Sequence, residues 1–163
     1  MATQIFLGID PGIATTGFGV LEVQANRMKL LEIGTILTPA HTPLPDRLYQ
    51  ISMDLQSLIR KHEPQAMAVE ELFFNTNAKT AMIVGQARGV ILLSAAQHNI
   101  PVTSYTPVQV KIAVCGYGRA DKKQVQEMVK RLLNLSAIPK PDDAADAAAI
   151  AICHAQSYKL RAL

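Results

Sequence analysis

A chain of 163 residues, 49% hydrophobic and 18% charged, carries enough apolar material for one packed domain and is not the composition of a disordered polymer. Its formal charge of +3 suits a polyanionic partner without requiring one. No run approaches the roughly 20 apolar residues that cross a bilayer, no basic segment with a small-residue cleavage site opens the chain, and Cys115 and Cys153 form no CxxC pair, so a soluble cytoplasmic domain over residues 1–163 with two buried free thiols is expected.

Thr3 to Asp10 reads as a buried strand. Pro11 to Thr16 then forms a turn in which Gly12 is available for a positive φ. Strands are predicted at Gly17 to Val23 and Lys29 to Leu37, on either side of the polar turn Gln24 to Arg27. Short turns between three successive strands predict an antiparallel meander. The connection from Pro39 leads to Pro45, which suits a first helical turn, and Leu48, Ile51, Leu55, Leu58 and Ile59 make a helical stripe.

A further strand, Gln65 to Glu70, follows Pro64. Asn77 is placed to cap a long helix reaching Asn99, and Pro101 to Tyr105 forms a short strand. Thr106-Pro107 opens the next helix in cap-then-proline order. Gly116 to Ala120 breaks it, Asp121 caps a helix through Leu133, and the last helix spans Asp142 to Lys159. The expected fold class is α/β, a mixed five-stranded sheet in which a meander precedes parallel crossovers, flanked by helices.

Four carboxylates interrupt apolar runs, where an uncompensated charge is expensive. Asp10 ends Ile5-Phe6-Leu7-Gly8-Ile9, and Glu70 ends Ala66-Met67-Ala68-Val69. Asp143 and Asp146 lie three apart in the last helix, about 60° apart around its axis, and so share a face. Taken singly, Asp10 suits an Asx turn and Asp143 the positive end of a helix dipole. Carboxylates converging from separate elements suit an oxygen-loving divalent cation. Together they point to a metal-dependent enzyme. Glu71 and Asp142 are expected to face solvent, and the four histidines show no ligand spacing.

Lys111, Arg119, Lys122 and Lys123 cluster around the glycine-containing loop, where flexible backbone and cations suit a phosphate chain. Phe73 and Phe74 directly follow the acidic pair, in a position to stack on unpaired bases. Gly85 and Gly89, four apart inside a helix, suggest close approach of another backbone, either the sheet beneath or a second subunit.

Asp10-Pro11-Gly12 with Thr16-Gly17, Ala68-Val69-Glu70, Gly85-Gln86-Ala87-Arg88-Gly89 and Asp143-Ala144-Ala145-Asp146-Ala147, in this order, resemble the RuvC-type Holliday-junction resolvases. The resemblance implies an RNase H-like nuclease acting as a homodimer on four-way junction DNA alongside a branch-migration helicase complex. It further implies that Asp10, Glu70, Asp143 and Asp146 hold Mg²⁺, with Mn²⁺ as substitute, two ions per subunit. Lys111 and Lys122 match basic residues near the cleaved phosphate, with Lys123 an alternative to Lys122, and Phe73 matches an aromatic that inserts at the junction. Two competing readings are a non-catalytic junction-binding subunit and an ATP-handling enzyme of the actin-like class. The intact carboxylate set argues against the first, and the short chain against the second.

Overall fold

The computed structural model describes residues 2–72 and 77–161. Its strands are β1 (Gln4–Asp10), β2 (Thr15–Gln24), β3 (Arg27–Leu37), β4 (Ala66–Glu70) and β5 (Val102–Tyr105). Its helices are α1 (Leu44–His62), α2 (Ala78–Gln97), α3 (Pro107–Cys115), α4 (Lys122–Leu132) and α5 (Asp142–Arg161). One five-stranded sheet runs in the order β3-β2-β1-β4-β5. The β3-β2-β1 meander is antiparallel, and β4 and β5 join parallel to β1.

Strand alternation sorts the chain onto two cores. Phe6, Leu21, Ala66 and Ala68 face a core built with α3, α4 and α5. Leu7, Ile9, Val20, Met67 and Val69 face the other, built with α1 and α2. The same alternation puts the Asp10 side chain on the face of Phe6 and Gly8, and that of Glu70 on the face of Ala66 and Ala68. Both acids therefore point to the α5 side of the sheet.

Helix starts follow the expected chemistry. Asn77 accepts from the backbone N–H of Lys79 and Thr80. Thr106 with Gln109, and Asp121 with Gln124, form reciprocal capping boxes. The Asp121 box fixes the phase of α4, so Lys122 shares a face with the buried Val125, Gln126 and Val129.

Two details differ from expectation. Gly12 is not among the positive-φ residues, and Gly116 is the one described glycine that is. Gly12 is required for space instead, since a Cβ there would meet the Thr15 carbonyl oxygen at 2.1 Å. That tight turn is held by the Thr16 hydroxyl donating to the Gly12 carbonyl at 2.6 Å, and by the Thr38 hydroxyl donating to the Ile13 carbonyl. Cys115 is half-buried rather than buried, while Cys153 is buried as expected.

Helix α5 lies across β1 and β2 with backbone almost touching backbone. A Cβ at Gly8 would fall 2.2 Å from the Ala147 carbonyl oxygen, one at Gly17 would fall 2.0 Å from that of Asp143, and one at Gly19 would fall 2.9 Å from the Ala148 Cα. The three glycines share one face of the sheet, and Ala144, Ala147, Ala148, Ala151 and Ala155 of α5 are fully buried. This small-residue seam brings the first turn of α5 down to the ends of β1 and β4. Among the described residues, no helix is long and apolar enough to cross a membrane.

Candidate active site

Asp10 is the last residue of β1 and Glu70 the last of β4, and the parallel pairing of Ile9 with Val69 makes the two acids lateral neighbours. Asp143 and Asp146 come from the first two turns of α5. One carboxylate oxygen from each of Asp10, Asp143 and Asp146 lies within 4.8 Å of the others. Glu70 joins them through a proton shared with Asp10 and through the charge of Asp146.

Burial is the largest influence on Asp10, and the charges of Glu70, Asp146 and Asp143 add to it, so its carboxyl is pushed up to about 8. Burial also raises Glu70, against the shared proton and Lys122, which act to lower it. Asp146 is raised by burial and by Asp143, with Lys122 opposing. The cluster is thus electrostatically uncomfortable by itself. An all-carboxylate donor set, half-buried and repelling itself, fits a hard divalent cation.

The one cation drawn into an ion pair with this cluster, among the described residues, is Lys122. Its Nζ lies 3.6 Å from Asp146 Oδ2 and 3.3 Å from Asp142 Oδ2. Burial would lower the Lys122 ammonium, but Asp146, Asp142 and Asp143 outweigh it and hold the pKa above its ordinary value. Lys123 points elsewhere, into a separate cleft of about 380 Å³ with Cys115, Tyr117 and Arg131. Of the two lysines, Lys122 is the one paired with the acids.

A second cleft, about 210 Å³ in volume, opens beside the carboxylates and is lined by Glu70, Lys111, Lys122, Val125 and Asp146. Lys111 thus lines the same cleft as Glu70 and Asp146. Arg119 is exposed on its loop, with no ion pair to the carboxylates among the described residues. Asp142 is exposed as expected, yet it is engaged by Lys122, by Lys140 at 3.7 Å and by the Gln126 amide at 3.1 Å. Glu71 is also exposed. Phe73 and Phe74 lie outside the described residues.

Gly85 and Gly89 correct one expectation: a Cβ added at either meets nothing within 4 Å, so the sheet is not what approaches them. Their face of α2 is open, and Met82 and Leu93 on the same helix are 65% and 57% exposed. His154, to which the sequence assigns no role, is 6% exposed, and its Nδ1 lies 2.9 Å from the Tyr105 hydroxyl. Tyr105 pairs with Glu70 in the β4–β5 ladder, so this contact ties α5 to the strand ends. The signal for His154 was its place two turns after Asp146, on the helix face of Ala147, Ile150 and Ala151.

A five-stranded mixed sheet in this order, helices on both faces and acids gathered where β1, β4 and α5 meet, is an RNase H-like fold. The model of the crossover junction endodeoxyribonuclease RuvC family matches residues 6–154. The Syntrophomonas wolfei crossover junction endodeoxyribonuclease RuvC is 58% identical over 154 residues, covering 94% of this chain and 90% of that protein. The Alkaliphilus oremlandii protein of the same name is 56% identical, covering 94% of each. Thermus thermophilus RuvC in complex with a Holliday junction substrate superposes with a TM-score of 0.93 at 37% identity, over 97% of this chain and 96% of that one. The chain belongs to the RuvC family.

Proposed function

We propose that this protein resolves four-way DNA junctions by metal-dependent hydrolysis of phosphodiesters, one symmetric nick from each subunit of a homodimer, leaving 5′-phosphate and 3′-hydroxyl ends in recombination and repair. The observation that carries the reading is the convergence of the Asp10, Asp143 and Asp146 carboxylate oxygens within 4.8 Å, with Lys122 beside them, in a RuvC-family chain. Asp10, Glu70, Asp143 and Asp146 would hold two Mg²⁺ ions, or Mn²⁺ in their place. When bound, such ions supply Lewis-acid activation of water and stabilise the leaving oxygen.

The chain's own residues do the rest. Glu70 and Asp146 line the cleft beside the cluster together with Lys111 and Lys122, so a phosphate entering there would find cations for its oxygens. Lys122, 3.6 Å from Asp146, would offset charge growing on the phosphorus oxygens, an effect often worth a few kcal/mol where water is excluded. Arg119 and Lys123, outside the cluster, would serve the flanking DNA backbone, and Phe73 would stack at the opened junction. The open face of α2 around Gly85 and Gly89 would meet the second subunit. The setting is cytoplasmic, with a branch-migration helicase complex as the motor partner.

The test is cleavage in Mg²⁺ of a labelled synthetic four-way junction with a mobile core of varied sequence. The parent is expected to give paired symmetric nicks, and Asp146→Asn to bind the junction without cutting it. Junction binding with no nicks in either Mg²⁺ or Mn²⁺ would leave a binding subunit instead.

A further inference from the structure

The motif Gly85-Gln86-Ala87-Arg88-Gly89 holds one residue that neither the carboxylate cluster nor the open face of α2 explains. Arg88 is half-buried, and its side chain reaches from α2 to the sheet. Its Nε donates to the main-chain carbonyl of Glu70 at 3.3 Å, and its Nη2 donates to the Ser104 hydroxyl at 2.7 Å. These two N–H groups lie along one edge of a rigid planar fork. The fork therefore spans β4 and β5 at adjacent positions, since Val69 pairs with Ser104 and Glu70 with Tyr105.

Glu70 is where β4 ends, and strand ends fray unless their carbonyls find partners. The last ladder bond, from Glu71 N–H to the Tyr105 carbonyl at 2.8 Å, holds the far side of this peptide. Arg88 holds its carbonyl, from the face of the sheet opposite α5. The Glu70 side chain thus projects toward α5 while its backbone is gripped from the α2 side. Arg88 meets the main chain of Glu70 rather than its carboxylate, so its grip acts on the direction of the strand end. Buried Ala87 and Ile91 anchor the same stretch of α2 on the core.

We infer that Arg88 is a positioning residue for the metal site: it fixes the direction of the Glu70 carboxylate by holding the Glu70 carbonyl and Ser104 in one fork. This inference rests on the proposed metal-dependent reading of Glu70. Partners standing behind ligands commonly contribute 10–100-fold in metal affinity or activity.

The experiment compares the parent with Arg88→Lys, which keeps the charge but loses the fork, and with Ser104→Ala, which removes the fork's second anchor. The first readout, without DNA, is the Mg²⁺ concentration that half-saturates the rise in melting temperature. The second pairs the single-turnover rate of junction cleavage with junction affinity in EDTA. Arg88→Lys is expected to raise the half-saturating Mg²⁺ about tenfold and slow cleavage on the order of 10–100-fold, with junction affinity and metal-free melting temperature near the parent's. Ser104→Ala should move both in the same direction by less, and the double variant should be no worse than Arg88→Lys alone.

Unchanged Mg²⁺ half-saturation in Arg88→Lys would overturn the inference. So would junction affinity falling in step with rate, which would make Arg88 a phosphate contact, or a loss confined to metal-free stability. A parent that takes up Mg²⁺ but does not cut, with half-saturation still shifted in Arg88→Lys, would sink the nuclease reading and leave the positioning role standing.

Discussion

Replacing Gly17 by alanine tests whether the seam between α5 and the sheet sets the geometry of the carboxylate cluster. Gly17 pairs with Asp10 across β1–β2, and its added methyl would sit 2.0 Å from the Asp143 carbonyl oxygen and 2.5 Å from the Asp143 carbonyl carbon. Restoring ordinary contact requires the first turn of α5 to retreat by roughly 1.4 Å. Overpacking of this kind costs about 1–3 kcal/mol, or about 3–10 °C in melting temperature for a chain of this length. The effect on catalysis should be larger. Ligand distances at a metal tolerate about 0.2 Å, and a misplacement of about 1 Å can cost on the order of 10²-fold in rate. Single-turnover junction cleavage at saturating enzyme should therefore fall at least about 10²-fold, while junction binding in EDTA persists. Gly19→Ala is the internal comparison. Its methyl meets the Ala148 Cα at 2.9 Å, farther along α5 from the acids, so it should lower stability with less effect on rate. Cleavage by Gly17→Ala at the parental rate and parental Mg²⁺ requirement would refute the reasoning.

The raised Asp10 carboxyl makes a prediction for the metal-free protein. Its folded pKa of about 8 exceeds the ordinary 3.8, so the folded state keeps a proton that the unfolded chain releases, and stability is lost as pH rises between those values. Melting in EDTA should accordingly show Asp10→Asn more stable than the parent at pH 8, by on the order of 2–4 kcal/mol, with the gain shrinking toward pH 5; a gain independent of pH would speak against it. Lys122→Ala should slow cutting far more than it weakens junction binding, and equal losses would make Lys122 a simple phosphate anchor. Light scattering at micromolar concentration should give a two-subunit mass that Gly89→Leu reduces to one. In a monomer the same change, at an exposed helical glycine with nothing within 4 Å, would only stabilise α2 by up to about 1 kcal/mol.

Much of the site could be read from local pattern, because strand alternation and helix phase are local. Phe6-Gly8-Asp10 and Ala66-Ala68-Glu70 each step by two, which puts both acids on the face of the same core before any contact is known. The phase of α4 does not by itself separate Lys122 from Lys123, because the buried Gln126 falls four residues after the one and three after the other. The glycine seam was not legible. Gly8, Gly17 and Gly19 are required by α5, whose residues lie more than a hundred positions away, and a local reading of Gly12 gave the wrong cause, a dihedral where the structure needs space. Arg88 was hidden for a related reason. Its partners are a main-chain carbonyl and a serine hydroxyl on two strands, and neither leaves a mark in residue type.

The distribution of aspartate and glutamate follows from the same geometry. Helix α5 lies over β1 and β2, and its contact with β4 is smaller. The glycine and alanine seam gives up side-chain burial to set the α5 backbone directly on the sheet, and there the short side chains of Asp10, Asp143 and Asp146 bring oxygens within 4.8 Å of one another. β4 lies one strand farther out, about 4.8 Å away from β1. The acid at its end is the one with an extra methylene, Glu70, and its backbone is the one held from behind by Arg88. A longer side chain has more rotamers to fix, so the acid farthest from the seam is also the one that most needs its main chain held.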